Sequence, residues 1–145
     1  MIAVDTNVII AAHRSEHQLH GRANERLRAV AEDDIPWGLP VFCLGEFVRL
    51  VTHARVFSPP SSLDDALQAI GALLASPTVR LLSPGDGYFQ YLSRALRDGD
   101  ARGNLAFDAQ IVAVCREHGV DRLLTADRDF ARFEAISVEL LGREG

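Results

Sequence analysis

The chain has 145 residues, 48% of them hydrophobic and 24% charged, which sustains one packed domain and excludes a disordered chain. Its net charge is −5, and all fifteen basic residues are arginine. No stretch approaches the roughly twenty apolar residues that a membrane span needs, and no basic leader precedes the first apolar run, so a cytoplasmic protein without membrane association is expected.

The elements follow in chain order. Ile2 to Val4 is a short β-branched run, apolar on both faces, of the kind buried in a parallel sheet. Asn7 is placed to cap a helix running through Ala12. A second helix is predicted over Gln18 to Glu32, with Leu19, Ala23, Leu27 and Val30 near helical spacing, ended by Asp33 and Asp34. Ile35 to Leu39 reads as a short edge strand, because Pro36 restricts pairing. Pro40 opens an apolar helix, Val41 to His53, and Ser58-Pro59-Pro60-Ser61 is a loop. Leu63 to Ala75 is an amphipathic helix with Ser62 as its cap. Val79 to Leu82 is a strand and Gly87 to Arg97 a helix. Leu105 to His118 is a helix preceded by Asn104 and stopped by Gly119. Arg122 to Thr125 is a strand, a helical turn follows near Phe130 and Phe133, and Ser137 to Leu141 is the last strand.

Strands alternating with helices predict a single α/β domain over residues 1–145, a central parallel sheet with helices on both faces. In such sheets ligands bind at the carboxyl ends of the strands. Asp5 follows the first strand, and Asp127 and Asp129 follow the strand ending at Thr125. Each could simply cap the helix after it. Glu46 has Phe42 and Leu50 at i−4 and i+4, so an ionised carboxylate in that column needs a compensating partner. Arg49 could be that partner. Asp108 shares a face with Leu105, Ile111, Val112 and Cys115, in a first helical turn where the macrodipole favours an anion. Two like charges at 4 Å repel by about 4 kcal/mol at an effective dielectric near 20, so a cluster of these carboxylates calls for a cation. An all-oxygen set suits Mg²⁺ or Mn²⁺ rather than zinc, and leads to metal-assisted phosphoryl transfer. Bound cations would also offset the acidic total, which otherwise argues against nucleic acid.

The run Val4-Asp5-Thr6-Asn7-Val8, the lone Glu46, Gly103-Asn104-Leu105 leading to Asp108-Ala109, and Thr125-Ala126-Asp127-Arg128-Asp129-Phe130 resemble a PIN-domain nuclease. Their order and the chain length resemble the VapC toxins of toxin–antitoxin pairs. The resemblance implies a Mg²⁺- or Mn²⁺-dependent endoribonuclease with Asp5, Glu46, Asp108 and Asp127 as the acidic cluster. Asp5 and Asp108 would be principal ligands, Asp127 a ligand directly or through water, and Glu46 a ligand or water-orienting group. Thr6 and Asn7 would orient Asp5, Thr125 would support the site by hydrogen bonding, Asp129 would be peripheral, and Asn104 would position Asp108 or a phosphate. It further implies a homodimer, an RNA substrate and a VapB-type antitoxin as partner.

Other constellations carry less. Cys43 and Cys115 are far apart without a CxxC, so they read as buried thiols in a reducing compartment. His13, His17 and His20 could share a helical face as a metal site, or simply form a polar one. Arg14, Arg49, Arg102 and Arg128 are candidate phosphate contacts outside the core site. A haloacid-dehalogenase-type phosphatase also begins with an Asp after its first strand, but wants a second Asp two residues on, where this chain has Asn7. A PIN-like scaffold that binds without cutting is the non-enzymatic alternative.

Overall fold

The computed structural model describes residues 1–142, so the last three residues of the expected 1–145 domain lie outside the description. The strands are β1 (Ile2–Val4), β2 (Trp37–Pro40), β3 (Val79–Leu82), β4 (Arg122–Thr125) and β5 (Ser137–Leu140). The helices are α1 (Thr6–His13), α2 (His20–Glu32), α3 (Phe42–Val51), α4 (Leu63–Leu74), α5 (Tyr88–Asp98) and α6 (Leu105–Glu117), with a 3₁₀ turn at Arg128–Arg132. The five strands form one parallel sheet in the order β3-β2-β1-β4-β5. β1 is apolar on both faces because it is the middle strand, and all three of its residues are buried.

The order reverses at β1. The chain moves outward from β1 to β2 and β3, then crosses back to β4 on the other side of β1. Right-handed crossovers in opposite directions put the intervening helices on opposite faces. The packing agrees: α1 contacts α2 and α3, α3 contacts α4, and α5 packs on α6. A crevice therefore opens between the carboxyl ends of β1 and β4, where a ligand site is expected in an open α/β sheet.

β2 is not the expected edge strand. It lies between β1 and β3, with all four residues buried. Pro36 falls just outside it. Pro40 closes it where β2 has already left β1, whose one register pair with β2 is Ala3↔Gly38. The missing Pro40 amide thus interrupts no ladder bond to β1, while Val41 N–H still reaches the Leu82 carbonyl of β3 at 2.9 Å. Gly38 permits the close approach: a Cβ there would stand 2.7 Å from Leu82 Cδ1.

Two helix starts also differ from expectation. α1 begins two residues earlier than an Asn7 cap would allow, because Asp5 caps it. α2 begins at His20 rather than Gln18, because the His17 ring accepts the Leu19 amide at 3.0 Å and holds a separate turn. The expected cap at Ser62 is present, accepting the Asp65 amide at 3.1 Å with Asp64 and Asp65 in the first turn of α4. Gly119, at φ +74°, supplies the left-handed stop after α6.

Candidate active site

β1 and β4 run side by side through the register pairs Ile2↔Arg122, Ala3↔Leu123 and Val4↔Leu124. Asp5 and Thr125 therefore leave the sheet together, and the Asp5 amide extends the ladder to Leu124 O at 2.9 Å. Asp5 is buried, and each of its carboxylate oxygens has a donor: the Thr6 amide to Oδ1 at 2.8 Å, and the Thr125 hydroxyl to Oδ2 at 2.8 Å. Since Thr125 has one proton to give, the shorter contact to Asp5 takes it. Its oxygen then accepts from Asn7 Nδ2 at 3.1 Å and from the Asp127 amide at 3.0 Å. Asn7 Oδ1 accepts the Ala126 amide at 2.9 Å, and Asp127 Oδ1 accepts the Asp129 amide at 2.9 Å. A buried hydroxyl thus joins the end of β1, the first turn of α1 and the loop after β4. Such networks fix side chains when every member is satisfied.

Asn7 is therefore a brace across the crevice and not a helix cap. Thr6 orients Asp5 through its backbone amide; its own hydroxyl is buried without a hydrogen-bond partner. Asp127 caps the 3₁₀ turn by accepting the Asp129 amide, and Asp129 is exposed one step further out. Asp108 is half-buried in the first turn of α6. Glu46 is half-buried on α3 in one column with Phe42 and Leu50. The core column of α3 is instead Cys43, Phe47 and Val51, so Glu46 flanks the packing rather than entering it. Neither Glu46 nor Arg49 joins an ion pair among the described residues.

The electrostatics tie these groups together. Burial, followed by repulsion from Glu46 and Asp108, raises the Asp5 carboxyl to about 7 against the lowering pull of its Thr125 and Thr6 hydrogen bonds. Burial and the charges of Asp127, Glu46 and Asp129 raise Asp108 to about 6, eased by Arg132. Carboxyls that resist ionisation near neutral pH, through burial first and one another's charge second, are a feature of functional sites. Their donor set is all oxygen, which fits a hard divalent cation in chemistry. Among the described residues, however, no three acidic, histidine or cysteine side chains already converge closely enough to hold an ion.

Glu46 and Asp108 face a common cleft of about 660 Å³. Its α3 wall carries Phe42, Gly45, Glu46 and Arg49, and its α6 wall carries Asn104, Phe107, Asp108 and Gln110. Asn104 is exposed, helical in backbone and makes no side-chain cap bond. Phe107 escaped the sequence reading. It shares a helical column with Ile111 and Val114, both buried, and so reads as core, yet full burial on α6 begins only at Ala109 and Phe107 is 61% exposed.

The remaining candidates are used elsewhere. His13 meets Ser61 Oγ at 2.9 Å, His17 the Leu19 amide, and His20 the Ala11 carbonyl at 2.9 Å, so the three imidazoles share no site. Arg14 is buried and bound to Glu16, Ser61 Oγ and the Pro59 carbonyl. Arg102 pairs with Asp100 on the surface, and Arg128 is exposed at the start of the 3₁₀ turn. Cys43 and Cys115 are free and buried, their thiols pushed up by burial. No described helix is long and apolar enough to cross a membrane.

Comparison with known proteins agrees with this architecture. The family model described as PIN domain matches residues 2–136. Ribonuclease VapC43 of Mycobacterium tuberculosis is 41% identical over 136 residues, 94% of this chain and 92% of that protein. Ribonuclease VapC25 of the same species is 34% identical over 94% of this chain and 95% of its own length. Among solved structures, M. tuberculosis VapC20, a sarcin-ricin loop cleaving toxin, superposes with a TM-score of 0.67 at 25% identity, over 90% of this chain and 93% of that one. VapBC2 of Rickettsia felis, bound to a promoter DNA fragment, shares the fold with a TM-score of 0.69 at 16% identity, over 97% and 98% of the two chains. With its five-stranded parallel sheet, its ordered acidic positions and relatives of this identity over nearly its whole length, the chain belongs to the PIN-domain family, in its VapC branch.

Proposed function

We propose that this chain is a Mg²⁺- or Mn²⁺-dependent endoribonuclease, the toxin of a toxin–antitoxin pair. The observation that carries the proposal is the buried Asp5 carboxylate at the crevice between β1 and β4, both oxygens held by donors from Thr6 and Thr125, with Glu46 and Asp108 near enough to repel it. Asp5, Asp108, Asp127 and Glu46 would hold the ion. When bound, it would polarise a phosphodiester and activate water for hydrolysis. The chain's own part is to aim these groups. Thr125 fixes Asp5 in one rotamer, Asn7 holds the loop that carries Asp127, and the first turn of α6 favours charge on Asp108. Asp129 would tune Asp108 by its charge, and Asn104 would stand at the cleft mouth to receive phosphate. VapC membership supports a VapB-type antitoxin as partner, a homodimer as the assembled form and the cytoplasm as the place of action.

The test is cleavage of a mixed structured RNA pool by purified protein with Mg²⁺, with Mn²⁺ and with chelator, beside Asp5→Asn. Metal-dependent cutting that disappears in the variant is expected. Folded protein that binds RNA but cuts nothing under any metal condition would instead identify a non-catalytic scaffold.

A further inference from the structure

The cleft between α3 and α6 has two features that the hydrolytic chemistry leaves unused. Phe107 is a full aromatic ring, 61% exposed, one residue before Asp108. Across the cleft stands Arg49, exposed and without an ion pair among the described residues. Gly45 lies on the same wall, and a Cβ built there would meet nothing within 4 Å, so that side of the cleft is open. Asn104 and Gln110 add amides to its lining. An exposed ring gains nothing from solvent; beside a phosphodiester-cutting site it offers a face on which an unpaired base can stack. The volume, about 660 Å³, is in the range of cavities that hold small-molecule-sized ligands.

The charge of the chain strengthens this reading. At −5 overall, with carboxylates gathered at the site, the protein offers a polyanion no net attraction. Stacking is indifferent to that charge, whereas phosphate contacts are not. A substrate with an unpaired base next to the cut phosphate can therefore be held where a continuous duplex, whose bases are already stacked on one another, cannot.

Resting on the ribonuclease reading, we propose that Phe107 is the stacking platform for an unpaired base adjoining the scissile phosphate, with Arg49 as the facing phosphate contact, so that the site selects single-stranded or looped-out RNA. The test measures binding, which does not depend on turnover. Fluorescein-labelled 12-nucleotide RNAs of randomised sequence, and a 12-base-pair RNA duplex, are titrated by anisotropy in chelator across a salt series. Phe107→Ala should weaken single-strand binding by about 5- to 100-fold, the range of one lost base stack, with the salt slope unchanged. Phe107→Trp should restore it and Phe107→Leu should not. Arg49→Gln should instead reduce the slope by about 0.7, the value for one phosphate on a single strand. Wild-type preference for the duplex, or Leu substituting fully for Phe, would overturn the proposal. So would a sedimentation change showing that Phe107→Ala only splits a dimer. RNA binding that responds to Phe107 in a protein that never cuts would refute the ribonuclease reading and leave the platform standing.

Discussion

Replacing Asp5 with Asn should abolish hydrolysis and, in the absence of metal, stabilise the protein more as pH rises. The carboxyl goes from an ordinary 3.8 in the unfolded chain to about 7 in the fold, with burial the largest cause. Between those values the folded state holds a proton that the unfolded state has lost. Stability from this group is thus complete below about pH 4 and is lost as pH climbs through 7. A shift of about three units sets a ceiling near 4 kcal/mol, at about 1.36 kcal/mol per unit. Relaxation and water entry around a buried charge reduce that, and about 1–3 kcal/mol is expected. Asn cannot ionise, and its side chain can still accept the Thr6 amide. The melting-temperature gap between Asp5→Asn and wild type should therefore widen by roughly 2–12 °C from pH 4.5 to pH 8, at about 2–4 °C per kcal/mol for a chain of this size. The assay is thermal unfolding of both proteins in chelator at half-unit pH steps. Asp108, also raised, is present in both proteins, so most of its effect cancels in the difference. A gap that stays constant, or narrows as pH rises, would refute the claim that Asp5 is strained in its ionised form.

The same strain predicts a response to metal. Mg²⁺ or Mn²⁺ at 100 times its dissociation constant should stabilise wild type by about 2.7 kcal/mol, and calorimetry should show the effect absent from Asp108→Asn. Thr125→Val keeps the shape but removes the hydroxyl that serves Asp5, Asn7 and the Asp127 amide. Urea titration should show a loss of about 1–3 kcal/mol and cleavage assays a roughly 10- to 100-fold fall, both largely recovered in Thr125→Ser. Gly99→Ala would place a Cβ 2.4 Å from the Phe133 ring, beside the Gly99 carbonyl that accepts from Arg132. It should cost about 1–3 kcal/mol in denaturant.

The sequence by itself determined the elements and the identity of the acidic positions. Period-two and 3.6-residue patterns report local burial, and the apolar run Ile2–Val4 could be stable only inside a sheet. An Asp immediately after such a strand necessarily lies at the sheet's carboxyl edge, which made Asp5 and Asp127 legible before any coordinates. What local patterns cannot carry is the order of strands. Pro36 made β2 read as an edge, and only its placement beside β1 and β3 reveals an inner strand, with Pro36 just outside it and the missing Pro40 amide where β1 has already diverged. Asn7 reads as a cap, because caps are local, yet its partners Thr125 and Ala126 lie more than a hundred residues away. Phe107 reads as core by its spacing, yet it stands exposed in the first turn of α6, ahead of the buried run that begins at Ala109. The repulsion among Asp5, Glu46 and Asp108 is likewise a property of space. It arises because the crossover from β3 to β4 returns the chain to the other side of β1, bringing the helix that bears Asp108 against the opposite face of the sheet from α1 and α3.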